Sequence, residues 1–425
     1  MSETKTFTLK YGEGNVTLEV PQKNLLGTIL PNTCPVIRGK EAEEAEVLRS
    51  LHEPIGTPAL DKLLKPGQTV AIMVSDITRP APSKLLLPPI LKELRGIGIR
   101  NEDIGIFFGL GLHRRQTEQE QRYLVGDEIY ENYNCLDVGN GDPVRSYGVT
   151  SYGTPIEIYK AVADKDFIIG TGNLDLHYAA GYAGGAKAVM PGAASARTIE
   201  THHRHMLHDM SESGVLEDNP FRMDMEEVAD IVKLGFIVAA VMTEEKEIVR
   251  VVSGDFRKAH RAGCQEIDKM YKIPIEHTAD IVVACASGFP KDINIYQSQK
   301  TIQNARNAVK KGGIIIMLAE CREGPGDPVY LEWMRQASSL DDILERISKG
   351  FKMGGHKAAM IAKIMKHAPV WAVTSMTDEA LSELMFIPKP SIQQALDEAL
   401  AEKGKDATVW VMPYGALTLP CVQNL

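Results

Sequence analysis

The sequence predicts an α/β protein: two α/β domains with mostly parallel sheets and an active site in the cleft between them. Three observations lead there. Short apolar runs at 69–74, 104–108 and 167–170 are continuous enough for strands buried on both faces. Each ends in a loop of polar, chemically able residues, and the first two lead into helical patterns. At 425 residues the chain exceeds one ordinary core, and a second strand–helix alternation begins near 276.

The elements follow in order. Residues 7–12 and 15–20 alternate apolar and polar about a glycine-bearing turn, the pattern of a hairpin. The strand at 69–74 ends in Ser75-Asp76-Ile77-Thr78-Arg79-Pro80 and a helix from Ser83 to about Leu94. The strand at 104–108 ends in Gly109-Leu110-Gly111-Leu112-His113-Arg114, and Thr117 with Glu120 forms a capping box for the next helix. The strand at 167–170 ends in Thr171-Gly172-Asn173-Leu174-Asp175-Leu176-His177. A helix is expected over 198–210. Beyond 276, strands are expected at 280–285, 314–318, 369–373 and from 408, and helices at 298–310, 340–347 and 357–366. The expected domains are 1–275 and 276–410, with a tail at about 411–425 free to return to the first.

Composition narrows the function. Net charge is −9 and no basic stripe with interleaved aromatics occurs, which argues against nucleic acid. No apolar run reaches the roughly 20 residues of a membrane span. The N-terminal residues carry no secretory pattern. The six cysteines have no CxxC spacing and read as reduced thiols, so a cytoplasmic location is expected and any metal would rely on histidine.

The densest chemistry lies at 177–192, HYAAGYAGGAKAVMPG, followed by His202, His203, His205 and His208. Glycine lets backbone approach a ligand, lysine bonds covalently to carbonyl-type groups, and histidine binds metals and moves protons. Lys187 among apolar neighbours is a candidate covalent anchor or cofactor-phosphate contact; a surface lysine is the plain alternative. On a helix, His202, His205 and His208 share a face that reads as solvated, and His203 on another face is the better candidate for an inward ligand. His113 and His177, both at strand ends, suit a general acid/base pair. Arg79 could clamp a carboxylate and Asp76 could orient a histidine, although an N-cap with a salt bridge explains both as well. Gln297 and Lys300, at a helix start, could hold an anion.

Together these pieces resemble the nickel-pincer lactate racemase family over essentially the full chain. The match rests on Ser75 to Pro80, Gly111-Leu112-His113-Arg114, the His177 loop, Gly184-Gly185-Ala186-Lys187-Ala188, Pro191-Gly192, His203 sixteen residues after Lys187, and Tyr296-Gln297-Ser298-Gln299-Lys300. The resemblance implies a nickel-pincer nucleotide, nickel held by a pyridinium-3-thioamide-5-thiocarboxylic acid mononucleotide, bonded through Lys187. It implies His203 as the protein ligand to nickel, His113 and His177 as acid and base, and Arg79, Gln297 and Lys300 as substrate contacts. Asp76 and Tyr296 fall near the cofactor. In the implied reaction one histidine takes the hydroxyl proton of a 2-hydroxy acid and hydride passes to the cofactor. Hydride then returns to the other face of the keto acid, and the second histidine supplies the proton. Cofactor-synthesis proteins are implied partners.

One departure bears on the substrate. Lactate-specific members carry a tryptophan where this chain reads Lys352-Met353-Gly354-Gly355-His356-Lys357. Its loss points to a substrate larger or more polar than lactate, such as malate, 2-hydroxyglutarate or a sugar acid. Two other readings keep the same residues: a Schiff-base lysine enzyme, and a non-catalytic nickel- or ligand-binding protein of the same fold.

Overall fold

A computed structural model describes residues 3–79 and 81–423, so Pro80 of the quoted motif lies outside the described residues. The chain divides into two units, Cys34–Lys269 and the pair of segments Met1–Thr33 with Met270–Leu425.

The first unit is built on a six-stranded sheet in the spatial order Ile248–Gly254, Leu234–Met242, Phe167–Leu174, Val70–Ser75, Ile104–Gly109, Asn134–Val138. All neighbours are parallel except the edge pair of Ile248–Gly254 with Leu234–Met242. The earliest of these strands, Val70–Ser75, sits inside the sheet. The chain first builds outward on one side of it, then crosses back and builds on the other. Order therefore reverses between Val70–Ser75 and Phe167–Leu174, and ligands in open α/β sheets bind beyond the carboxyl ends of strands at such a point. Asp76 and Arg79 leave the end of one of these two strands, and His177 follows the end of the other.

Burial explains the strands. Val70, Ile72, Val74, Ile104, Ile106 and Phe108 join one core with Leu86, Leu87, Ile90 and Leu94 of the helix Ser83–Ile97. Each such side chain contributes about 1.5–3 kcal/mol when fully removed from water. That helix closes on Gly98 at φ 95°, a left-handed cap satisfied by the Leu94 and Arg95 carbonyls. The capping box of Thr117 with Glu120 starts the helix Glu118–Val125 as expected.

The second unit carries a parallel sheet in the order Ile387–Pro388, Val370–Val373, Val309–Leu318, Ala279–Cys285, Val409–Met412, Leu25–Thr28. Residues 1–33 thus fall with 270–425, not with 34–269 where the sequence expectation placed them. The reason is local. Leu25–Thr28 completes the hydrogen-bonding edge of Val409–Met412, and the hairpin Thr4–Tyr11/Gly14–Pro21 lays Phe7, Leu9, Leu18 and Val20 on Ile281, Val283, Ile314 and Ile316. The tail strand Leu419–Val422 pairs with Lys272–Ile275, within this same unit.

The helix expected at 298–310 is Ile295–Ala305, and Gly312 and Gly313 fall inside the strand Val309–Leu318. No helix of the described residues is long and apolar enough to cross a membrane.

Candidate active site

The turn after Val70–Ser75 holds Asp76, buried at 3% exposure. Its Oδ1 accepts from the Thr78 amide (2.9 Å) and hydroxyl (2.6 Å), and its Oδ2 lies 2.5 Å from Nδ1 of His113. Burial alone would raise the Asp76 pKa, but the bonds from His113 and Thr78 outweigh it and hold the carboxyl below its ordinary value. An ionised carboxylate only accepts, so the proton between them sits on Nδ1, and a neutral His113 ring then has its lone pair on Nε2. The helix beyond this turn is capped at Pro82, so Asp76 is not an N-cap; its bonds go to the turn and to His113. The exposed Arg79 lies three residues further along the turn.

His177 is set the other way. It sits on the short strand Leu176–His177, opposite Gly181. Its Nδ1 accepts from the amides of Ala179 (3.2 Å) and Ala180 (3.1 Å). A neutral ring accepting at Nδ1 carries its hydrogen on Nε2. Tyr178 stacks on the ring at 4.7 Å. Burial first, then the charges of Lys187, Arg79, Arg222 and His203, holds its pKa well below the imidazole value.

Lys187 lies on the tight turn Gly185–Ala188. Burial, followed by Arg79 and Arg222, drives its pKa well down, which favours the neutral, nucleophilic amine. The loop before it is pinned carbonyl by carbonyl. The fully buried Arg222 donates to the oxygens of Ala180 (3.1 Å), Tyr182 and Gly184 (3.5 Å). Asn219 donates to Ala179 (2.9 Å), and His260 bonds Ala183 (2.8 Å). Gly181, at φ 74°, has no room for a side chain: a Cβ there would stand 2.0 Å from the Val215 oxygen.

The histidine-rich segment departs from expectation. The α-helix is Ala196–His203 and then tightens into a 3₁₀ turn, Arg204–Leu207, so the expected 198–210 periodicity does not run through. His202, expected on a solvated face, is fully buried, with Nδ1 2.7 Å from Asp224. Asp224 also accepts from Thr150 (2.6 Å) and Thr154 (2.7 Å). A buried ionised carboxylate needs such donors, and this one draws the helix face inward. His208 is exposed. Half-buried His203 bonds the Ile199 carbonyl through Nδ1 at 2.7 Å, which puts the hydrogen of a neutral ring on Nδ1 and its lone pair on Nε2.

In the second unit, Tyr296, Gln297 and Lys300 occupy the first turns of the helix Ile295–Ala305, capped by Asn294 Oδ1 on the Gln297 amide at 2.8 Å. Gln297 is exposed, while Tyr296 and Lys300 are half-buried. His356, in the segment that lacks the tryptophan, is buried against Tyr296 and Phe351, and burial takes its pKa down to about 3.

Sequence reasoning missed Arg222, Asp224, Asn219 and His260. Asn219-Pro220 does carry a local signal, an N-cap followed by proline at the first helical position, and the helix Pro220–Ile231 starts there. Nothing local marks its Arg222 and Asp224 as inward. Among the described residues no three His, Cys, Asp or Glu side chains form a metal site. The His203 imidazole and the Lys187 amine are the groups here that could hold a cofactor.

The Lactate racemase N-terminal domain family matches residues 11–214, and the Lactate racemase C-terminal domain family matches 275–419. The lactate racemase of Thermoanaerobacterium thermosaccharolyticum is 30% identical over 416 residues, covering 96% of this chain and 97% of that protein. That of Lactiplantibacillus plantarum is 30% identical over 419 residues, with the same coverage. The solved lactate racemase apoprotein from T. thermosaccharolyticum superimposes with a TM-score of 0.87 at 28% identity, covering 98% of this chain and 100% of that one. A Thermotoga maritima protein shares the fold with a TM-score of 0.60 at 16% identity, covering 92% and 100%.

Proposed function

The chain belongs to the lactate racemase family, and on that premise we propose that it inverts C2 of a 2-hydroxy acid, using a nickel-pincer nucleotide tethered to Lys187. The family consists of nickel-dependent isomerases acting on hydroxy acids. One observation carries the reading. The turn that anchors His113 through Asp76 also bears Arg79, whose charge acts on both His177 and Lys187. A guanidinium, the His177 imidazole and the Lys187 amine therefore share one electrostatic neighbourhood, and His113 is tied to the turn that bears the guanidinium.

Lys187 would hold the cofactor covalently and His203 would give nickel an imidazole nitrogen. When bound, the cofactor supplies an acceptor for the hydrogen on C2. His113 takes the hydroxyl proton at Nε2, and Asp76 stabilises the imidazolium that results. His177 donates from Nε2 to the substrate oxygen. To accept a proton there, it must first move its own hydrogen to Nδ1 and give up two amide bonds. Arg79, Gln297 and Lys300 hold the carboxylate while either face of C2 is presented. Asp76 acts through His113, and Tyr296 would be a cofactor contact. The substrate is larger or more polar than lactate, because His356 stands in the segment where lactate-specific relatives carry tryptophan.

The test is coexpression with nickel-pincer synthesis proteins, followed by metal analysis, mass spectrometry of the Lys187 peptide and chiral analysis of a 2-hydroxy acid panel. A nickel-bearing adduct on Lys187 with inversion at C2 is expected. An unmodified Lys187 under these conditions sinks the tether, and a borohydride-reducible adduct points to Schiff-base chemistry.

A further inference from the structure

Three imidazoles rest on one benzene ring. Phe221 is buried at 2% exposure, and its ring centre lies 4.1 Å from that of His202, 5.2 Å from that of His203 and 6.3 Å from that of His177. Its plane stands at 74° to His203 and at 25° to His177. It therefore meets one imidazole edge to face and the other nearly parallel, the two arrangements that aromatic pairs prefer. Each imidazole is also tied at Nδ1: His177 by the amides of Ala179 and Ala180, His202 by Asp224, and His203 by the Ile199 carbonyl. A bond at one nitrogen lets a ring pivot about it, and close packing on the ring face stops the pivot. His202, held by the buried Asp224, backs the Phe221 ring.

The start of the helix Pro220–Ile231 fixes Phe221 in turn. Asn219 caps the helix through the Arg222 amide (3.1 Å), and Pro220 presets the first helical residue. The same turn holds the His177 loop. Asn219 donates to the carbonyl of Ala179 and Arg222 to that of Ala180, the two residues whose amides bond His177 Nδ1. His177 lies on a short strand and His203 at the end of a helix, so nothing local relates them. Both take their placement from the stretch 219–224.

We propose that Phe221 is a positioning residue of the site: its ring is the spacer that fixes the acid–base imidazole of His177 relative to the nickel-binding imidazole of His203. This rests on the hydroxy-acid racemase reading above. The proton handled at His177 and the group held by His203 would act on neighbouring substrate atoms, so an error in their spacing appears in the rate more than in binding. An aliphatic side chain of similar volume would fill the space but give the imidazoles no flat face to pack on.

The test is Phe221→Leu in the full-length protein. Val228→Ala, a buried position two turns along the same helix, controls for lost packing. In cofactor-free protein labelled with ¹⁵N in histidine, the ring signals of His177 and His203 should shift and broaden together in Phe221→Leu, while those of His113 stay in place. In loaded enzyme kcat should fall by about 10²-fold with KM little changed, and Phe221→Tyr, which keeps the ring, should retain most of it. Val228→Ala should leave the ring signals and the kcat of folded protein near wild type. Wild-type kcat or unmoved ring signals in a folded Phe221→Leu protein overturn the spacer, and so does an equal loss of kcat in Val228→Ala. If Phe221→Leu does not fold, nuclear Overhauser contacts in the wild-type protein decide: the Phe221 ring is expected to contact both His177 and His203, and a missing contact overturns the spacer. Joint movement of both histidine signals, with no adduct on Lys187 and no inversion after loading, overturns the racemase reading and leaves the spacer standing.

Discussion

Asp76 Oδ2 and His113 Nδ1 lie 2.5 Å apart, joining residues 37 positions apart in sequence at the ends of neighbouring parallel strands. The carboxylate accepts, so a neutral His113 ring carries its hydrogen on Nδ1 and its lone pair on Nε2. Asp76→Asn replaces an obligate acceptor with a group that also donates and lets the ring take the wrong tautomer. A fall in kcat of about 10²–10⁴ is expected, with a smaller change in KM. Steady-state kinetics on cofactor-loaded protein checks this, and wild-type kcat in the variant would remove Asp76 from the mechanism.

The two histidines should differ spectroscopically. With Nδ1 bound to two amides, His177 should show the Nε2–H tautomer and remain neutral well below pH 6.5. His113, bonded to an ionised Asp76, should show Nδ1–H when neutral. Long-range ¹⁵N–¹H correlation of histidine-labelled protein, assigned with His113→Gln and His177→Gln, reads both. Matching tautomers at the two positions would contradict the asymmetry.

Stability should fall on the acid side. Burial lowers the pKa of His177, His260 and His356, so the unfolded chain takes up protons below about pH 6.5 that the folded chain refuses. Their contribution is present above that pH and lost as pH falls, with a slope approaching about 1.4 kcal/mol per pH unit for each fully neutral ring. Asp76 and Asp224, held below the usual carboxylate value, add a further loss below about pH 4. Melting temperature followed from pH 7.5 to 4.5 tests the first part, and a flat profile would refute it.

Arg222 holds the lysine loop in shape. Arg222→Met removes the donor to the carbonyls of Ala180, Tyr182 and Gly184, the first two of them buried residues. A destabilisation of about 3–5 kcal/mol is expected. Denaturant unfolding gives that number, and loss of the Lys187 adduct in the folded fraction would show that the loop had also lost its geometry.

Much was legible from local signals. The strand 69–74, the hairpin and the Thr117 capping box all appear where the sequence put them, because apolar runs, alternation and caps act over a few residues. The chemistry of Lys187, His113 and His177 stood out for the same kind of reason: glycine-rich or strand-end positions concentrate reactive groups. The histidine cluster misled because helix periodicity says which residues share a face, not which face is inward. Asp224, from a later helix, makes His202 the buried one.

The sequence by itself determined the α/β class, the polar strand ends and the lysine loop. Those properties follow from patterning over a few to a dozen neighbouring residues. Contacts between distant segments decided the rest: the strand order that brings the ends of Val70–Ser75 and Phe167–Leu174 side by side, the tautomers of His113 and His177, the Arg222 pins, and the place of residues 1–33 beside Val409–Met412. A hydrogen bond to a residue dozens of positions away leaves no periodic trace. It forms only when the folded chain supplies the partner and removes the water that would otherwise compete.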